Sequence, residues 1–488
     1  MVNPAPLLAQ RLNIDVGVDI SGVASSNPDL APKGQEESDA WLEISPYFSL
    51  SGTVGERITL SGSGSLGATA RLSAREGTSY SGWLRPSGNL LGTLEVVDNF
   101  FYIDARAIAV SELNDPFQAT TSTTSPYNTS TDYQVGLTPY VRGRFLGTFN
   151  YEVRSDNSWS DSPNYPGQYS GKHSVNIERA PQPFGGAFNL TRTTVDSSVE
   201  GQSLLTSDTA RVSLRYAPTS YLAFGARIGA ERYNYTLSAN DWQRYYGAEI
   251  SWKPNERTSL EGYWEDRVFG NSWQLAFSHR RPLAAFNISS SRVLSTTPEQ
   301  FLTYPGLSNI ASLLNAAFTT RIPDPIERQR AVNDFLARSN LPSELLTPTI
   351  IYSEGFTIEE RNTASAVFYG ERNSLTFTVY STITEGIPGI SSALPVTSKT
   401  LQRGTEVAFS RRLTPVTGMT ATASWRNTED QLETNRQTTQ KELLLELTRR
   451  LVRDMDLKVG ARYQWVDSTV TNDATEAALY FTLNYRFD

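Results

Sequence analysis

Arg57-Ile58-Thr59-Leu60-Ser61-Gly62-Ser63-Gly64-Ser65-Leu66-Gly67-Ala68-Thr69-Ala70-Arg71-Leu72 alternates over its whole length. The even positions are Ile, Leu, Gly or Ala, and the odd ones are Arg, Thr, Ser or Gly. A period of two belongs to the β-strand, whose successive side chains leave opposite faces. The run is longer than a strand of a soluble domain, typically about 5–6 residues. It is long enough for a tilted membrane crossing with a rim.

The same pattern recurs along the chain. Tyr133, Val135, Leu137, Pro139, Val141 and Phe145 share one phase, and Gln134, Thr138, Tyr140, Arg142 and Arg144 the other. Leu457, Val459, Ala461, Tyr463 and Trp465 oppose Lys458, Arg462 and Gln464. The expected faces are lipid for Ile58, Leu60, Leu66, Val135, Leu137, Val459, Ala461, Phe481 and Leu483, and lumen for Arg142, Arg144, Arg211, Arg215, Lys458 and Arg462. A chain of 488 residues with only 39% hydrophobic residues lacks the long apolar helices that would build soluble cores of this size. A barrel removes that tension, since it turns alternate residues to lipid and the rest to water. No run of eighteen apolar residues exists, so a helical span is excluded.

Connections alternate in length. Tight links are read near Thr53–Gly55, Asp98–Asn99, Leu146–Gly147, Ala217–Thr219, Pro254–Glu256, Arg372–Asn373, Thr414–Val416 and Val452–Asp454. Longer polar loops are read at Asn27–Asp39, Asn114–Thr131, Asp161–Gly171 and Ile387–Lys399. Short periplasmic turns and longer extracellular loops are the outer-membrane arrangement. The expectation is one all-β unit over residues 1–488: a transmembrane antiparallel up-and-down barrel of about 22 strands, within 18–24, in the outer membrane of a Gram-negative bacterium. The opening Met-Val-Asn-Pro-Ala-Pro reads as a mature N-terminus.

The end of the chain, Leu479 to Phe487, is aromatic or apolar at every odd position. Phe481, Tyr485 and Phe487 are therefore expected to signal to the barrel-insertion machinery, with the last strand closing on a first strand near Leu12–Ala24. Trp41, Trp83, Phe100, Tyr102, Trp242, Tyr245, Trp252 and Trp425 are expected to form girdles at the two membrane interfaces.

Residues 298–348 break the alternation. Leu307, Ile310, Leu313, Leu314 and Phe318 have helical spacing. Asp324-Pro325-Ile326-Glu327-Arg328 starts a second helix whose apolar face is Val332, Phe335 and Leu336. Apolar stripes need a surface to cover, so this partly helical insertion is expected to constrict the lumen or cap the extracellular mouth. Its Arg321, Arg328, Arg330 and Arg338 are the constriction candidates.

The chain resembles the outer-membrane β-barrel family associated with PEP-CTERM and exopolysaccharide gene clusters of proteobacteria. The resemblance lies in Ser26-Asn27-Pro28-Asp29-Leu30-Ala31-Pro32, Ser38-Asp39 and Ile44-Ser45-Pro46-Tyr47-Phe48-Ser49-Leu50. It continues in Asp324-Pro325 with Arg328 and Arg330, Phe335-Leu336, Leu341-Pro342, Glu360-Arg361 and Gly370 to Leu375. It implies a barrel acting in export of a surface polysaccharide, together with periplasmic and inner-membrane machinery.

Chemistry at a catalytic centre finds little support. There is no cysteine, which excludes thiol redox chemistry and Cys-based metal sites. Only His173 and His279 offer imidazole, and a lipid-cleaving site built on His279 would need a Ser beside it on the barrel exterior. No enzyme, catalytic residue, metal or cofactor is expected, and the net charge of −8 argues against nucleic acid. Basic residues are 37 arginines against six lysines. The fork of an arginine suits a crowded lumen wall. Arg142, Arg144, Arg154, Arg211, Arg215, Arg227, Glu249, Glu261, Lys458 and Arg462 are the lumen-lining candidates. The expected function is passage of a hydrophilic polymer, an exopolysaccharide by the resemblance. A diffusion porin and a structural sheath in an envelope complex stand as alternatives. The lack of an N-terminal plug argues against a TonB-dependent receptor. Expected partners are outer-membrane lipid and lipopolysaccharide, the insertion machinery and export proteins.

Overall fold

The computed structural model describes residues 12–72, 84–119, 128–198, 204–234, 241–301, 310, 314–315, 318–319, 322, 327–328, 331–332, 335–336, 346–353, 355–387, 399–432 and 435–487. Trp83, Leu307, Leu313, Arg321, Asp324, Pro325, Ile326, Arg330, Arg338, Leu341 and Pro342 lie outside them.

Strands β1 Asn13–Ser25, β2 Asp39–Val54, β3 Ile58–Arg71, β4 Leu84–Val97, β5 Phe101–Leu113, β6 Thr129–Phe145, β7 Phe149–Asp161, β8 Gln168–Arg179, β9 Phe184–Ser197, β10 Leu205–Thr219 and β11 Leu222–Tyr233 form the first half. The second half is β12 Gln243–Asn255, β13 Thr258–Arg267, β14 Gly270–Arg281, β15 Ala284–Ser295, β16 Thr357–Tyr369, β17 Asn373–Gly386, β18 Lys399–Thr414, β19 Thr417–Asp430, β20 Gln437–Val452, β21 Met455–Ser468 and β22 Ala474–Phe487. Each strand pairs antiparallel with the next, and β22 closes on β1, from Val16 opposite Phe487 to Ser25 opposite Ala478. The ring of 22 strands therefore has no free edge, which is the condition for a sheet to lie in lipid.

The alternation sets the two faces. Val135 and Leu137 are 55% and 45% exposed, whereas Gln134 and Thr138 on either side of the pair are 1% and 0%. Leu214, Phe224, Ile228, Val459, Phe481 and Phe487 are also outward and exposed. An apolar exterior around a polar interior is what a bilayer demands of a barrel. No helix among the described residues is long and apolar enough to cross a membrane, which has no bearing on a barrel.

Several links differ from the sequence reading. β10 runs through Thr219 and β12 through Asn255, so their turns fall at 220–221 and 256–257, where the ladder stops. Residues 180–183 and 282–283 are two further short turns. The connection Val268-Phe269 is only two residues long, although it lies on the side of the long loops. The girdle assignment also needs correction. Trp41, Tyr102 and Tyr245 are in the inward phase and buried. Their rings lie under Arg71, Arg142 and Arg267, with centroids 5.9, 4.4 and 5.1 Å from the guanidinium carbons. Residue type suggested an interface for these rings, but phase decides the face. Arginine then takes the π surface inside.

Candidate functional site

The inner wall of β9–β13 carries a lattice of charge. Arg227 Nη1 stands 3.0 Å and Arg211 Nη1 3.4 Å from Glu265 Oε1, and Arg267 Nη1 is 3.8 Å from Glu265 Oε2. Glu249 takes Arg215 and, at 3.2 Å, Arg227 Nε. Glu231 takes Arg267, and the Arg227 guanidinium lies 4.0 Å over the Tyr263 ring. Glycines make room for this lattice. A Cβ on Gly247 would stand 2.8 Å from Glu265 Cγ, and one on Gly225 would stand 3.1 Å from Glu249 Oε1. A cavity of ≈ 440 Å³ lies along this wall, bordered by Arg215, Arg227, Glu249, Glu261, Tyr263 and Gln274.

The other lumen candidates also fall in the inward phase. Arg154 meets Asp104 at 2.9 Å and stacks 4.6 Å over Tyr140. Arg462 forks onto Glu476, whose Oε1 also accepts from Ser25 Oγ at 2.7 Å. Lys458 reaches Glu446 at 3.4 Å, and Glu261 pairs with Lys253. Arg144 donates to Asn150 at 3.1 Å near the short-turn end. Sequence reading passed over Arg106, Glu231 and Arg267, although Arg267 is in phase with Glu261, Tyr263 and Glu265 and was legible by that sign alone. Arg106 pairs with Asp156 at 2.7 Å.

The described residues between β15 and β16 pack inside the barrel. The chain is helical at 297–301, and Gln134 Nε2 donates to Pro298 O at 2.8 Å, while Lys172 Nζ meets Glu299 at 2.9 Å. Farther on, Ile310, Leu314 and Val332 are fully buried against the inward Ala285, Val367 and Tyr369. Phe318 and Phe335 meet each other and the Tyr369 ring edge-on, all at 5.7 Å. Tyr369 ends β16 at the short-turn side, so the segment descends the full depth of the bore. Arg328 holds it together from within, donating to Asn315 Oδ1 at 2.6 Å and Ile322 O at 3.0 Å.

The returning chain is held by side-chain amides. Gln402 Oε1 accepts from Thr349 N at 2.8 Å and its Nε2 donates to Thr349 O at 2.9 Å. Gln168 Nε2 donates to Ser353 O at 3.2 Å, and Gln300 Oε1 accepts from Ile351 N at 3.3 Å. Such a bond imitates a strand partner for a backbone that has none. The contacts reach β6 and β8 on one side and β15–β18 on the other. In a ring of 22 strands, β6 and β16 are nearly opposite, and the segment spans the bore. Nothing in the sequence marked the glutamines for this, because each partner is far away along the chain. At the mouth, the loop after β5 reaches across to β20, where Thr438 Oγ1 donates to Phe117 O and Arg436 lies 4.4 Å over the Phe117 ring.

Both histidines face outward. His279 Nδ1 is 2.9 Å from Thr258 Oγ1. His173 Nδ1 is 2.9 Å from Ser155 Oγ, a pairing that sequence reading sought at His279 and did not find. Among the described residues, no carboxylate hydrogen-bonds to the His173 ring, so no third member of a hydrolytic triad is assembled there. Nor do the described residues contain a cluster suited to a metal ion.

A closed sheet with a lipid-facing apolar exterior, a polar interior and alternating short and long links defines a Gram-negative outer-membrane β-barrel. No protein-family model matches the chain, and neither does any curated protein. Among solved structures it is similar to the FrpB iron transporter of Neisseria meningitidis (F5-1 variant, apoprotein form), with 10% identity, 97% of this chain and 81% of that one covered, and TM-score 0.48. It is similar to the siderophore receptor PirA from Acinetobacter baumannii, with 10% identity, 97% and 80% covered, and TM-score 0.45. OccAB1 of Acinetobacter baumannii gives 7% identity, 99% of both chains and TM-score 0.35.

Proposed function

We propose that this barrel is a conduit for a hydrophilic polymer, an exopolysaccharide, and that it rests closed by the segment folded through its own bore. The observation that carries the reading is the way this segment is held. Its descending part is packed on a small apolar patch, and its return is clamped by neutral amides. Contacts of that kind exchange for water at small net cost, about 0.5–1.5 kcal/mol each. A covalent or multiply charged plug would not release so readily.

Once the bore is vacated, its wall of Thr, Ser, Gln, Tyr and Arg offers sugar hydroxyls many weak partners and no deep site. Passage requires binding that is weak and repeated. The barrel supplies no energy, so the polymer must be driven by a synthase or by periplasmic partners, which the family resemblance also implies. The test is deletion of residues 305–342 with a short Gly-Ser bridge, read in planar bilayers. The barrel should survive, because the 22-strand ladder closes from β15 to β16 without any described residue of the deleted span. Conductance should rise severalfold, and larger dextrans should enter liposomes. Block of the opened channel by an exopolysaccharide should exceed block by polyethylene glycol of equal hydrodynamic size. Unchanged conductance and size cut-off would overturn the closed-gate reading, and equal block would make the barrel a general diffusion porin.

A further inference from the structure

A single row of directly opposed residues crosses the outer face of β7–β11: Ser155, His173, Arg192, Asp208 and Arg232. The row one step toward the short turns is Val153, Val175, Leu190, Ala210 and Ala230, all apolar. One step toward the long loops the residues are Asn157, Gly171, Thr194 and Thr206. The charged row therefore marks the line on the lipid-facing surface where apolar gives way to polar, on the extracellular side. A bilayer puts its phosphates at that level.

The charges do not cancel. Asp208 accepts from Arg192 Nε at 2.7 Å and Nη2 at 3.0 Å, and from Arg232 Nη2 at 2.6 Å. One carboxylate thus holds two guanidiniums side by side with a net positive charge. Arg192 keeps 55% of its side chain exposed, Arg232 keeps 36%, and the ring of Trp242 lies 5.3 Å from the Arg232 guanidinium. Each arginine has five N–H donors, so both retain free ones pointing away from Asp208. Beneath them runs an external groove of ≈ 620 Å³, whose floor includes Val141, Val153, Val175 and Leu190 and whose rim includes Arg192, Arg232 and Trp242. The groove is cationic at the upper edge and apolar below.

We propose that this groove binds one phosphorylated glycolipid of the outer leaflet, its phosphate held by Arg192 and Arg232 and an acyl chain lying over Val153, Val175 and Leu190. Asp208 is a positioning residue that pre-orders the two forks, and paired forks suit phosphate oxygens. The site is independent of whatever passes through the lumen.

Native mass spectrometry of the detergent-solubilised barrel with added diphosphoryl lipid A tests the proposal. The wild type should retain one lipid A, and R192Q/R232Q should lose occupancy at least tenfold. D208N, which keeps the shape but removes the carboxylate that holds the two forks side by side, should bind more weakly than wild type and more tightly than R192Q/R232Q, and full retention would take the positioning role from Asp208. Dephosphorylated lipid A should bind the wild type at least tenfold more weakly than the phosphorylated lipid does, a comparison that needs no variant to fold. Millimolar inorganic phosphate should fail to displace the lipid. Equal retention of phosphorylated and dephosphorylated lipid would overturn the proposal, as would equal retention by wild type and a heat-modifiable double variant. Displacement by phosphate alone would show a simple anion site and overturn the assignment to lipid.

Discussion

The inner wall of β10–β13 and the inward column of β17 are built from the same alternation and have opposite characters. On the first, Arg211, Arg215, Arg227 and Arg267 interlock with Glu231, Glu249 and Glu265, and Arg211 and Arg215 remain a quarter or more exposed. On the second, Ser374, Thr376, Thr378, Tyr380, Thr382 and Thr384 form one inward column, every member buried. The segment that spans the bore packs on this second side, against Val367, Tyr369 and Gln402. Burying a charge without complete pairing is expensive, whereas hydroxyls and amides are cheap to cover and to wet again. The segment thus lies beside the hydroxyl column of β17, and the densest ion-pair lattice lies away from it on β10–β13.

The largest effect should come from breaking the ionic wall at its hub. Glu265→Ala removes a carboxylate that faces Arg211, Arg227 and Arg267 while its own side chain is 1% exposed. Removing one partner of a buried ion pair costs about 3–5 kcal/mol. The midpoint of urea unfolding of the refolded barrel should drop accordingly, and Thr378→Val on the neutral wall should move it by less than about 0.5 kcal/mol. A comparable loss in both would erase the contrast between the walls.

A steric change comes next. A Cβ on Gly404 would stand 2.3 Å from the Tyr380 ring and 2.9 Å from Leu346 Cδ2. Gly404→Val should therefore displace the Tyr380 ring and Leu346 together, raise the open probability in bilayers and lower barrel stability by about 1–3 kcal/mol of strain. A variant that is less stable yet no more open would place Leu346 in a purely structural role.

Gln402→Leu keeps the shape and removes both bonds to Thr349. The Thr349 backbone groups then need water, at a cost of about 1–3 kcal/mol for the held state. Openings should become roughly tenfold or more frequent, with conductance per opening unchanged. The smallest effect is expected from Lys172→Ala, since its partner Glu299 is held by a half-exposed side chain. Such a pair is worth about 0.2–1 kcal/mol. The change in open probability should shrink further in high salt, and a salt-independent effect would mean that the aliphatic stem of Lys172, rather than its charge, holds the segment.

Period-two phase was enough to give the barrel and a strand number of about 22, and it assigns each strand residue an outward or inward phase, with Arg142, Arg144, Arg154, Arg211, Arg215, Arg227, Glu249, Glu261, Lys458 and Arg462 in the inward one. The reason is local: a strand assigns a face to each residue with no help from elsewhere. Phase would also have placed Trp41, Tyr102 and Tyr245 inside, where a reading by residue type put them at the interfaces. Which inward arginine meets which carboxylate was beyond the sequence, because Arg211 reaches Glu265 across three strands and the register of each ladder decides that distance. The same is true of Ser155 beside His173, and of the charged row on the outer face. Helical spacing announced that residues 298–348 had an apolar stripe to cover. Only closure of the ring brought Ala285, Val367 and Tyr369 to that stripe and put Gln134, Gln168 and Gln402 within reach of its backbone, since a closed bore exists in no part of the chain taken alone.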